Sequence, residues 1–394
     1  MTAARKGGPS AASWDERRGR VLLSIVSDAV DPDVHGHLTT VGAARICAEL
    51  LAGTSRLKRA AAYSARLDTL VGHGVGAVDA ASGTVDQAVD ALSAMGGRLL
   101  IPGDDEWPTG LDDLEQRRPY ALWVRGPLAL SSLNPSASLA IVGARAATQY
   151  GVHVATDLAA DLAMRGWSIV SGGAYGIDAA AHRGAVLCGG ATVAVLANGV
   201  DEVYPKGNSQ LLARIVEQGA VVSELPPGRH PTRQGFLARN RIIAALAGGT
   251  LVVEAALRSG SASTVARAVE LGREVMAVPG PITSAMSTGS NALLRDGATL
   301  VTCGDDVVEA LAGIGEGLRP LPESSASDRD RLTPDQRALL DAFPARGARD
   351  EVSLAATAGL TLSAAMTSLG YLNVDGWVQR TDQGWRLSDK ARTG

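Results

Sequence analysis

Residues 139–178 read LAIVGARAATQYGVHVATDLAADLAMRGWSIVSGGAYGID. An aliphatic run, Leu139–Val142, ends at Gly143. A helix-length segment, Tyr150–Arg165, follows. A second aliphatic run, Trp167–Val170, then ends in Ser171-Gly172-Gly173. Strands that are apolar on both faces and alternate with helices build a parallel sheet covered on both sides. The same alternation continues outward. Strands are expected at Leu99–Ile101, Thr192–Leu196, Ala220–Glu224, Thr250–Glu254, Glu274–Val278 and Thr299–Thr302. Helices are expected at Ile177–Leu187, Ser209–Gln218, Leu237–Leu246 and Ser263–Leu271.

The fold class is α/β: an extended, Rossmann-like, doubly wound parallel sheet over residues 97–314, with a smaller unit on each side. Before it, 14–96 has helical spacing (Val21, Leu22, Ile25 and Val26 on one face) and reads as a small helical domain of the SAM-like kind. Between Arg45 and Arg66 five cations face one glutamate, so one helix face there is basic or merely solvated. Residues 1–13 read as a disordered tail, and the Pro- and Ser-rich 315–331 as a linker. In 332–394, Thr333-Pro334 opens a helix, a second covers Asp350–Ala358, and Thr361 caps a third. The strands Val378–Arg380 and Gly384–Leu387 complete a winged helix.

The chain has 394 residues, of which 46% are hydrophobic and 20% charged, and its net charge is −4. That excludes wholesale disorder and a uniformly basic coat; nucleic acid would have to use a local patch. Cys47, Cys188 and Cys303 are too few and too far apart for a disulfide scaffold or a zinc site. No apolar run reaches membrane-spanning length, so a cytoplasmic protein that does not engage membranes is expected.

In an open parallel sheet the turns after the strands hold the ligand. The first turn here is Gly143-Ala144-Arg145. The second, Ser171-Gly172-Gly173-Ala174-Tyr175-Gly176, offers amides at a helix start, an arrangement suited to phosphate. Lys206 follows in the third. Arg239-Asn240-Arg241 opens a helix, and Ser259-Gly260-Ser261 precedes another. Arg239 and Arg241 cannot both face the core of one amphipathic helix. Asp178 and His182 lie one turn apart, an arrangement better explained by a helix start than by catalysis. From Thr232 to Arg295, seven arginines stand against three glutamates, as a phosphodiester cleft requires. No dinucleotide or phosphate-loop fingerprint is present, so simple NAD or ATP use is disfavoured.

The motifs IVGAR, SGGAYGIDAAAHRGA, YPKGN, VSELPPG, FLARNRIIAALAGGTLVVEA, SGSASTVARAVELGREVMAVPG and GSNALLRDGA occur in order. Together they resemble the DNA-processing protein A family. The resemblance implies a non-enzymatic homodimer that binds and protects single-stranded DNA and helps load the RecA recombinase in recombination and natural transformation. It implies that no nucleotide or metal cofactor is needed, and DNA contacts from Gly143, Arg145, Ser171, Gly172, Gly173, Lys206, Arg239, Asn240 and Arg241; Tyr175 of the second turn and Ser259, Gly260 and Ser261 of the later polar loop are further candidate DNA contacts. Many members carry Arg at the position of Tyr175, where a tyrosine could stack on a base instead. A nucleotide-processing enzyme of the phosphoribosyl-hydrolase type, using Glu254 as acid or base, is the alternative. A scaffold that only docks partners is a third. The expected third helix of the winged unit has no Lys or Arg, which disfavours reading duplex DNA.

Overall fold

The computed structural model describes residues 14–71, 77–257, 259–312, 329, 332–344 and 347–393. The tail expected at 1–13, and all of the linker expected at 315–331 except Arg329, lie outside the described residues, as does Arg258. Packing divides the chain into two units, Met1–Arg319 and Pro320–Gly394.

The first unit is built on a sheet of nine described strands. They are β1 (Gly97–Leu100), β2 (Leu122–Arg125), β3 (Ser138–Val142), β4 (Ser168–Ser171), β5 (Thr192–Val195), β6 (Ala220–Ser223), β7 (Gly249–Val252), β8 (Glu274–Ala277) and β9 (Thr299–Leu300). Their spatial order is β1-β2-β6-β5-β4-β3-β7-β8-β9. From β6 to β9 every pairing is parallel, whereas β1–β2 and β2–β6 are antiparallel. The parallel strands stand within a residue or two of their expected positions. The antiparallel edge is new, because β2 is a four-residue run between Pro119 and Pro127 whose pairing is long-range.

Along β3 the side chains alternate between two cores. Leu139 and Ile141 pack with α5 (Gln149–Met164) and α6 (Ile177–Leu187). Ala140 and Val142 pack toward α8 (Arg233–Ala245) and α9 (Ser261–Glu270). This two-sided burial is why the strands read as unbroken aliphatic runs. On the first face α7 (Ser209–Gln218) also packs; α10 (Thr288–Arg295) and α11 (Gly304–Leu311) flank β8 and β9.

The N-terminal helices, α1 (Glu16–Val26), α2 (Pro32–Leu51), α3 (Ala60–Val71) and α4 (Ala77–Ala94), share one apolar cluster with Trp123 of β2, Ala194 of β5 and Val221 of β6. The basic face expected there is largely compensated. Arg45 pairs with Glu49 at 3.0 Å, and Arg59 and Arg66 both pair with Asp28.

In the second unit, α12 (Pro334–Ala342) starts at a capping box in which Thr333 and Gln336 satisfy each other's amides. Asp350 caps α13 (Glu351–Ala358), Thr361 caps α14 (Leu362–Val374), and β10 (Val378–Thr381) pairs antiparallel with β11 (Gly384–Leu387). A short α15 (Asp389–Thr393) ends it. Leu339, Leu354, Leu369, Leu372, Trp377 and Trp385 form its core. Three helices followed by a hairpin is the winged-helix arrangement.

Candidate nucleic-acid interface

The chain leaves β3 toward β4, β5 and β6 on one side and returns with β7 on the other. The crevice beyond the carboxyl ends of β3 and β7 is therefore the topological switch point, where open α/β sheets bind ligands. A trough of about 370 Å³ lies there. Its walls come from the turn after β3, the first turn of α6, one face of α8 and the start of α9.

Glycines let these segments meet. A Cβ on Gly143 would stand 2.6 Å from Ile177 and 2.7 Å from the Glu254 carbonyl oxygen. Ala144 can thus donate its N–H to that carbonyl at 2.7 Å, while its own carbonyl accepts from Ile177 N at 3.2 Å. A Cβ on Gly172 would strike the guanidinium of Arg239 at 2.5 Å, so the glycine admits the arginine.

Arg239 is 4% exposed and forms the floor of the trough. Its Nη1 donates to the carbonyls of Gly172 (2.7 Å) and Val195, and its Nε donates to Asn240 Oδ1 at 3.2 Å. Among the described residues no acceptor meets Nη2. Burial pushes its pKa down to about 10, with Arg145 adding to the fall and Asp178 opposing it. It is still a cation at neutral pH. Arg145 is exposed on the opposite wall, its guanidinium 5.0 Å above the Phe236 ring. Asn240, Ser259, Gly260 and Ser261 complete the polar lining. Ser259 and Ser261 share a hydrogen bond of 2.7 Å, and no side chain caps the start of α9 at Gly260. An uncapped helix start beside a buried arginine with an idle donor is an anion site.

A second recess, about 120 Å³, adjoins the trough and shares Arg145 with it. Tyr175, Tyr204 and Phe236 line it, the last two with ring centroids 5.7 Å apart. Tyr175 is 48% exposed, and its hydroxyl accepts from Gly207 N at 3.2 Å. Lys206 is exposed one residue from Pro205 of this recess but lines neither cavity.

Several expected contacts fall elsewhere. Arg241 is 2% exposed and absent from the trough. It grips Glu224 through Nη1 (2.8 Å) and Nη2 (2.6 Å) and donates to the carbonyls of Arg117, Ala238 and Ala29. Arg239 and Arg241 are therefore both buried, because α8 is covered on more than one side, and Arg241 is a strut. Ser171 is fully buried, its Oγ donating to Ile141 O at 2.6 Å, and Gly173 lines neither recess.

Two of the amides expected to be bare in the glycine turn are taken. Asp178 Oδ2 accepts from Gly172 N (3.2 Å) and Ala174 N (3.4 Å), and Asn208 Nδ2 donates to the carbonyls of Gly173 and Ala174. The arginine excess is also spent largely on structure: Arg267 pairs with Glu270, and Arg273 with Asp113. His182 is buried one turn beyond Asp178, its Nδ1 2.7 Å from Thr192 Oγ1, whose proton goes to Ile169 O. Burial holds its pKa down to about 3, so it stays neutral.

Glu254 is 1% exposed. One carboxylate oxygen accepts from Thr148 N (2.8 Å) and the other from Thr148 Oγ1 (2.6 Å), anchoring the cap of α5. Its carboxylate is committed to Thr148 and does not line the trough. Glu254→Ala should cost about 1–3 kcal/mol of stability through the two orphaned Thr148 donors, read by urea denaturation. Oligonucleotide affinity should not change.

Sequence reasoning took Asp178 for a helix-start residue and gave no role to Phe236, Tyr204 or Met286. For Phe236 a signal existed: Phe236, Arg239, Asn240 and Ile243 follow i, i+3, i+4, i+7 spacing, and all four line the trough.

Residues 98–312 match the family described as DNA recombination-mediator protein A. A Mycobacterium tuberculosis chain bearing the DNA processing protein DprA name is 47% identical over 318 residues, 77% of this chain and 81% of its own. Protein Smf of Escherichia coli is 40% identical over 296 residues, 73% of this chain and 76% of its own. An X-ray structure of DNA processing protein A from Streptococcus pneumoniae superposes with a TM-score of 0.62 at 31% identity, covering 75% of this chain and 96% of that one. A Helicobacter pylori DNA processing protein A, whose structure is described for its single-stranded DNA binding mode, gives a TM-score of 0.50 at 30% identity over 56% and 97%. The chain with its trough at the switch point belongs to the DNA recombination-mediator protein A family.

Proposed function

We propose that this chain captures single-stranded DNA without covalent chemistry, protects it from nucleases, and helps load the RecA recombinase during recombination and natural transformation. The observation that carries the reading is the buried Arg239 with an idle Nη2, set in a trough with Arg145 and the uncapped start of α9. Such a site takes a phosphodiester and leaves the base edges free for a recombinase. Two copies pair, so that a strand meets two troughs and gains avidity. Neither a nucleotide nor a metal is required. The winged unit docks protein: α14 carries no Lys or Arg and exposes Leu362, Met366, Tyr371 and Val374.

Fluorescence anisotropy over a salt series with single- and double-stranded oligonucleotides tests this. Single strands should bind more tightly, with log affinity falling by about 0.7 per phosphate neutralised for each log unit of salt. A chain ending at residue 319 should bind duplex no worse than the full chain. Loss of all single-strand binding at low salt would sink the reading.

Tyr175→Arg should raise affinity for single strands by about three- to tenfold and steepen the salt slope by about 0.7. The new guanidinium would stand at the exposed mouth of the second recess, and the same titration reads both changes.

A further inference from the structure

Among the described residues lining the trough, Asp178 carries the one negative charge. It is 7% exposed. Its carboxylate is held by two turn amides and compensated first by Arg239, then by Arg145. Burial lifts its pKa above the ordinary carboxylate value, against the pull of both arginines and both amides. An anion that takes Nη2 of Arg239 enters the same recess. Two negative groups then share one buried guanidinium, and like charges in a desolvated site do not both stay ionised. A phosphodiester is much the stronger acid, so the proton goes to the carboxylate. Once protonated, Asp178 can still accept from Gly172 N and Ala174 N through its carbonyl oxygen, while its new O–H can donate to a phosphate oxygen.

We propose that capture of a nucleic-acid strand in this trough is coupled to the uptake of one proton from solvent by Asp178, which turns from a buried carboxylate near Arg239 into a hydrogen-bond donor toward the strand. The coupling rests on the single-stranded DNA reading above. Its sign is fixed by linkage. A group that gains a proton on binding makes binding tighter as pH falls, by up to tenfold per unit between its free and bound values.

The other groups facing Asp178 do not reproduce the effect. Arg239 on α8 is lowered only to about 10 and so keeps its charge, Arg145 after β3 is a second guanidinium, and burial keeps His182 on its own helix neutral. The half-buried His37 beside Asp33 and the exposed His153 beside Asp157 and His230 beside Glu202 lie outside the trough lining.

The test is calorimetric titration of the full chain with a single-stranded oligothymidylate in two buffers of different ionisation enthalpy. The wild-type chain should take up a substantial fraction of a proton, and its affinity should rise about tenfold from about pH 8 to about pH 6. Asp178→Asn should abolish the uptake and flatten the pH profile, with affinity at about pH 8 above wild type, because no proton has to be taken up. Should that variant fail to fold, a His37→Gln, His153→Gln, His230→Gln chain decides, since uptake must persist in it. Equal heats in both buffers after correction for zero protons, or uptake unchanged in Asp178→Asn, would overturn the coupling and leave the DNA reading standing. Absence of oligothymidylate binding at every pH would sink both.

Discussion

Arg239→Met lowers single-strand affinity by about a hundredfold, the expected result of removing a desolvated cation that meets a phosphate. Truncating one partner of a buried charged contact costs about 2–5 kcal/mol, and each 1.4 kcal/mol is tenfold. The salt slope falls by about 0.7 as well, because one fewer counterion-releasing contact is made. Arg239→Lys separates charge from shape. An ammonium keeps the positive charge but cannot serve Gly172 O, Val195 O and a phosphate in one plane, so an intermediate loss of about tenfold is expected. Anisotropy at two salt concentrations measures both, with urea denaturation confirming that the variants are folded. Wild-type affinity in Arg239→Met would remove the central cation from the interface.

Two residues along, Arg241→Met behaves in the opposite way. Glu224, 7% exposed, loses both of its guanidinium bonds, and the carbonyls of Ala29, Arg117 and Ala238 lose a donor. Removing one partner of a buried ion pair costs about 3–5 kcal/mol, because the other charge is left unpaired out of water. A urea transition should show that loss, while the affinity of the molecules that remain folded stays within about threefold of wild type. Glu224→Gln in the same chain should recover part of the stability, since no bare carboxylate is then buried. Wild-type stability together with lost affinity would mean that Arg241 touches the strand after all.

The contrast between these arginines shows where the sequence stops being legible. Aliphatic runs such as Leu139–Val142 announce a two-sided sheet, and the glycines after them mark the sheet edge that holds the trough. Caps at Thr333 and Thr361 were readable because a cap acts over three residues, whereas Asp350, expected inside its helix, turns out to cap it. Which arginine of Arg239-Asn240-Arg241 faces a cavity was not readable. The answer depends on Ala29, Arg117 and Glu224 for one and on Gly172 and Val195 for the other, all distant in the chain. Strand β2 was hidden for the same reason, since its partners β1 and β6 are fixed by pairing and not by local pattern. The glycine turn misled in a subtler way. Its amides look free in the sequence, yet the aspartate six residues after Gly172 accepts from two of them.

The order in which strands enter the sheet has a consequence for synthesis. Strand β3 lies between β4 and β7, and more than a hundred residues separate it from the latter. The wall formed by Ser259, Gly260 and Ser261 is made later still. A polypeptide emerging from the ribosome thus carries Arg145 more than a hundred residues before the segment that faces it across the trough, and the recess closes only once the start of α9 has been made.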